Sequence, residues 1–168
     1  STQAAEVWAF HEAFGDMIAI LENLQHDSLI ESAIKETNGD LINSNILTRL
    51  AAEMGIGVYN ITEGKSGELN SCLRDVSIFY KYTEPEKLPN KGPDNEIINE
   101  CHSFSRIFSG AFYEIIIKIS QQNMKEEGQD QLTAIKNARD TASTYLFAAS
   151  IAAPATVRFF DSVARHIL

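Results

Sequence analysis

Apolar positions recur along this chain at three- and four-residue steps over most of its length, the spacing of helices with one buried face. Residues 4–25 read as a helix through Val7, Phe10, Phe14, Met17, Ile18 and Leu21. Asp27-Ser28 breaks it and offers an N-cap, and residues 29–37 form a short second helix ending at Asn38-Gly39. Ser44 or Asn45 caps a third helix expected to run to Tyr59 or Ile61, weakened in its middle by Gly55 and Gly57. The texture then changes. Three of the four prolines (Pro85, Pro89, Pro93) fall between residues 64 and 95, together with Gly64, Gly67 and Gly92. Only residues 73–82 interrupt this irregular segment with a short helical or extended stretch. An irregular connection of this length is uncommon inside a compact domain and is often functional.

The strongest helix follows over residues 100–123, with Phe108, Phe112, Ile115, Ile116 and Ile119 as its stripe. Gly128 and Asp130 open the next, which places Leu132, Ile135, Ala142, Leu146 and Ala149 on one face. Ala153-Pro154 starts the last helix, proline being favoured in a first turn, and Val157, Phe160, Ala164 and Ile167 are its inward side. No convincing strand pair and no internal repeat breaks the order. The expectation is one all-α domain over residues 1–168, an orthogonal arrangement of about six helices with one long irregular segment at 64–95.

Composition narrows the partners. With 14 basic and 23 acidic residues the net charge is −9, which argues against nucleic acid or anionic lipid as a partner. No window approaches the roughly 18 apolar residues of a membrane span. No basic region followed by an apolar stretch marks a signal peptide, so secretion and the cytoplasm both stay open. The first residue is Ser1 rather than Met, and an upstream segment is expected. Cys72 and Cys101 are the only cysteines, too few for a disulfide framework.

Three features carry chemistry. In His11-Glu12-Ala13-Phe14-Gly15-Asp16 the two carboxylates stand four apart and project from one helix face. Among neighbours such as Phe10, Phe14 and Met17 such a pair needs a cation or strong hydrogen bonds. The plainer reading is a solvated face. His11 diverges from Glu12 by about 100° around the helix, so the run is not a complete metal site. Glu100-Cys101-His102-Ser103-Phe104-Ser105-Arg106 puts a histidine at the head of the strongest helix, where the helix dipole opposes its protonation; alone it reads as a capping or surface residue. Cys72-Leu73-Arg74-Asp75 places an arginine in the irregular segment, able to bind a carbonyl or carboxylate or to form an ordinary surface ion pair.

Taken in order, these features resemble the thermolysin-like, or gluzincin, zinc metallopeptidases. Residues 11–21 are similar to the family's second zinc-binding helix, which implies Glu12 as the third zinc ligand and Asp16 as the carboxylate that orients a histidine ligand. Cys72-Leu73-Arg74 resembles the segment whose arginine binds substrate carbonyls. Residues 101–106 resemble, more loosely, the segment whose histidine, here His102, stabilises the oxyanion, with Glu100 as the acid nearest to orient it and Glu96 behind. The closing helices resemble the family's last two. His11 stands where the family has Asn and Gly15 where it has Ser. No His-Glu-x-x-His is present, and His11, His26, His102 and His166 form no i, i+4 pair. The resemblance therefore implies the C-terminal half of a larger peptidase, with two zinc ligands and the general base expected before Ser1. Zinc belongs to the full-length protein, and the chain alone is expected to bind little of it and to cleave no peptide. Its partners would be a peptide or protein substrate, the N-terminal half, and a second copy through the surface that half would cover. A non-catalytic scaffold that keeps the helical fold, and a helical interaction module with no such descent, are the alternatives.

Overall fold

The structure, a computed structural model, describes residues 5–50, 60, 72, 74–93 and 95–167. Five α-helices dominate the described residues: α1 (Ala5–Asn23), α2 (Asp27–Glu36), α3 (Cys101–Glu127), α4 (Gln131–Ala152) and α5 (Phe159–Ile167). Two short strands, β1 (Arg49–Leu50) and β2 (Arg74–Asp75), pair antiparallel with Arg49 opposite Asp75 and Leu50 opposite Arg74. Among the described residues a 3-10 turn spans Pro85–Lys87. The fold is all-α. None of the described helices is long and apolar enough to cross a membrane.

Local chemistry explains the helix ends. Glu100 caps α3 by accepting from the Ser103 N–H, and Asp130 caps α4 by accepting from that of Thr133. Helix α3 stops at Gly128, whose φ of 65° is left-handed, a conformation that glycine adopts without the steric penalty of a Cβ.

The helices stack in sequence. Helix α1 lies along α3, α3 against α4, α4 against α5, and α5 closes back on α1. Aromatic rings fill the seam between α1, α3 and α5. Phe10 meets Phe108 edge-on at 5.2 Å, and Phe160 lies 5.1 Å from both Phe104 and Phe108. Such pairs add about 0.5–1.5 kcal/mol each beyond the area they bury. The segment after β2 lies directly on α3: a Cβ on Gly110 would stand 3.1 Å from the Ile78 carbonyl oxygen. That close approach holds the residues that follow β2 against α3.

Two expectations are corrected. Residues 44–50 do not begin a third helix. Asn45 closes a turn instead, its Nδ2 donating to the carbonyls of Leu41 and Asn43 and its Oδ1 accepting from the Leu47 N–H, and the chain then enters β1. Asn bonds its own neighbouring backbone in this way and competes with helix. Asn60, within the expected helix, is helical; the rest of it, with Gly55, Gly57, Tyr59 and Ile61, lies outside the described residues, as do Gly64, Gly67 and Leu73. The last helix starts at Phe159 and not near Pro154, and Val157 is exposed. Its first turn is held from a distance: buried Glu6 on α1 accepts from the Phe160 N–H at 2.9 Å and from the Tyr82 hydroxyl at 2.7 Å, with Arg158 at 3.4 Å.

Candidate functional site

Glu12 and Asp16 project from α1 toward β2 and the head of α3. Asp16 is 8% exposed, and the Glu12 side chain is half-buried. Arg74 of β2 reaches both: its Nη1 stands 2.5 Å from Asp16 Oδ1 and its Nη2 3.6 Å from Glu12 Oε2. The other oxygen of Asp16 accepts from the Ser109 hydroxyl of α3 at 2.9 Å. Burial drives the Asp16 carboxyl above its ordinary value. Arg74 and Ser109 pull it back without cancelling that rise, and the Glu12 charge adds to it.

The arrangement continues outward. His102, in the first turn of α3, faces Glu12 with Nε2 at 3.6 Å from Oε2 and Glu100 with Nδ1 at 2.5 Å from Oε1. Glu100 also takes the Cys101 thiol at 3.2 Å and the Ser103 N–H at 3.1 Å. Burial acts to raise Glu100, but these bonds, His102 first among them, outweigh it and hold the carboxyl at about 2. Glu100 is thus a carboxylate at any ordinary pH, and Nδ1 of His102 carries the proton between them. The result is a line of alternating acidic and basic residues, Asp16, Arg74, Glu12, His102, Glu100, running from the core to the surface.

All five residues singled out in the sequence therefore meet, although Arg74 is 58 positions from Asp16. Glu96 does not reach His102 through any described contact; its backbone carbonyl accepts from Arg106 and Ser103 instead. His11 is exposed. His26 faces Glu22 at 3.9 Å and His166 the Ser162 carbonyl at 2.7 Å. Cys72 and Cys101 are both free thiols. Sequence reasoning missed Ser109. Its signal was Ser105 and Ser109, four apart on an aromatic helix and both fully buried. A buried hydroxyl there needs a partner beyond its own helix or bonds back to it, and Ser109 does both.

The chemistry follows from these contacts. The cation that the carboxylate pair requires is Arg74. Glu12, less buried than Asp16, is the carboxylate facing His102 and can offer an oxygen to a ligand. A metal ion could take Glu12 as one donor, but the described residues add no second imidazole beside it. An apolar groove of about 470 Å³, lined by Ile107, Phe108, Ala111 and Phe160 with Tyr82 and Arg158 at its rim, contains none of these five residues. It opens on the other side of α3, since Ile107 and Ala111 sit about 200° around the helix from Ser109.

No protein-family model matches the chain, and comparison with curated proteins and with solved structures returns no significant match.

Proposed function

We propose that this chain is the helical half of a zinc-dependent endopeptidase of the thermolysin-like kind, acting on peptide bonds of a peptide or protein substrate. One observation carries the reading: Asp16, Arg74, Glu12 and His102, from three separate segments, lie in one line of successive contacts, Asp16 to Arg74, Arg74 to Glu12 and Glu12 to His102.

In this reading Glu12 is the third zinc ligand, and the two imidazole ligands and the general base belong to residues preceding Ser1. The donor set fits only in part, since one carboxylate does not hold zinc tightly. Bound zinc supplies an acidified water and a polarised carbonyl. The residues of this chain do the rest. Arg74 has five N–H donors, so it can hold the two carboxylates and present a further donor to a substrate carbonyl, which orients the peptide. His102, fixed through Nδ1 by Glu100, directs Nε2 toward the side of Glu12 where an oxyanion would form. Loss of such a donor typically costs about 10²–10³ in kcat. Asp16, pinned by Ser109, is poised to accept from a ligand imidazole on the incoming segment.

The test is the full-length protein. A His-Glu-x-x-His motif about 20–25 residues before Glu12, with zinc bound and peptide cleaved, supports the reading; a preceding sequence without that motif ends the catalytic version. A second reading has its own observation. Arg74 already pairs with both Glu12 and Asp16, so the carboxylate pair has a cation without any metal, as in a scaffold that kept the helices and lost the chemistry. Alanine at His102 or Arg74 in the full-length protein separates the two: an enzyme loses turnover, and a scaffold has none to lose.

A further inference from the structure

We propose a second site, for a soft divalent cation of the zinc class, formed at the head of α3 by Sγ of Cys101, Nδ1 of His102 and Oε1 of Glu100. It does not rest on the peptidase reading, in which Cys101 has no part.

The three donor atoms already converge. Sγ stands 3.2 Å from Oε1 and 3.5 Å from Nδ1, and Nδ1 stands 2.5 Å from Oε1. All lie within 4.8 Å of one another, the one such group among the described residues. Ligand atoms at about 2.0–2.3 Å from a tetrahedral ion are separated by roughly 3.2–3.8 Å. The two sulfur separations are at that value, and the nitrogen–oxygen pair must open by about 1 Å, which the partly exposed Glu100 side chain permits. A thiolate with an imidazole selects zinc-class ions over magnesium or calcium.

The far side of the ring is supported too. With Nδ1 giving its lone pair to the cation, the ring proton sits on Nε2, which faces Glu12 Oε2 at 3.6 Å. A carboxylate behind a ligating histidine fixes its tautomer and raises its basicity. Glu12 is itself held by Arg74, so this support comes from a different helix and a strand. The positive end of α3 opposes a cation by a fraction of a charge, and the full negative charge of Glu100 exceeds it. Burial and then Glu100 push the Cys101 thiol above its ordinary value. The thiol is therefore protonated in the absence of metal. On binding, the S–H bond breaks, sulfur forms the bond to the metal and the thiol proton leaves to solvent; Nδ1 also gives up its proton through solvent as its lone pair turns to the metal, and the ring keeps one proton on Nε2.

Cobalt(II) titration of the 168-residue chain tests this. The expected result is one equivalent bound with a thiolate-to-cobalt charge-transfer absorption, bleached by added zinc. Cys101→Ser abolishes the band, Cys72→Ser preserves it, and Glu12→Gln weakens binding by about 10–100-fold. Absence of the band in the unmutated chain overturns the proposal without recourse to any variant. A band that survives Cys101→Ser overturns it as well.

Discussion

Glu6 and Asp16 lie toward opposite ends of α1, and their surroundings are built alike. Each is buried, each pairs with an arginine from far along the chain, and each accepts a hydroxyl hydrogen bond: Arg158 and Tyr82 for Glu6, Arg74 and Ser109 for Asp16. They differ in what lies beyond. The second oxygen of Glu6 is spent on the first turn of α5, and the residue is 1% exposed. Past Asp16 the charges continue through Arg74 to Glu12 and His102, whose side chain is 59% exposed. One cluster closes on itself and fastens two helices. The other ends in donors and acceptors that face solvent. Burial and pairing are common to both clusters; the open end is the feature that only the Asp16 cluster has.

Glu6→Ala has the largest expected effect on this contrast. It removes the acceptor for a helix N-terminus, a tyrosine and an arginine, and about 3 kcal/mol of stability in urea denaturation is expected to go with it. Asp16→Asn keeps the shape and the Ser109 bond and gives up the charge facing Arg74, for about 1–2 kcal/mol.

The pH responses of the site sharpen the comparison further. The Asp16 carboxyl is raised when folded, so its contribution to stability is greatest below the ordinary value of 3.8 and declines as pH rises through the folded value. Glu100 is held at about 2 against an ordinary 4.5, so its contribution is present above 4.5 and is lost as pH falls toward 2. The stability advantage of wild type over Asp16→Asn is expected to shrink with rising pH across the acid range, and that over Glu100→Gln to grow. The Glu100 effect is the weaker of the two, because its side chain is nearly half exposed and screened by solvent. His102→Ala is the smallest, within about 0.5 kcal/mol of wild type by the same denaturation measurement.

The helices were legible in the sequence because their periodicity is local. Their orientation was less so. Val7 and Ile18 read as part of the buried stripe of α1, yet both are exposed, while Ala9, Ala13 and Ile20 are fully buried. Helix α1 is apolar around much of its circumference, and the face that turns inward is decided by α3 and α5, which no local window contains. Leu146 and Ala149 on α4 read correctly because they continue the stripe of Ile135 and Ala142 at helical spacing. Glu6 is not among the residues that the sequence singles out; its partners Tyr82 and Phe160 lie 76 and 154 positions away, and nothing near it announces them. For the site, residue types and order named Glu12, Asp16, Arg74, His102 and Glu100. That Arg74 is itself the cation answering the carboxylate pair is a matter of distance, as is the part played by Ser109.

The central claim, that the open end of this cluster faces a catalytic zinc, is tested most directly by zinc content and peptide hydrolysis of the full-length protein with and without Glu12→Gln. The account predicts a zinc at Glu12, additional to the ion held by Cys101 and His102, and measurable cleavage; in the variant this zinc and the cleavage are lost while the helical fold persists. Zinc content and cleavage unchanged by Glu12→Gln would contradict it.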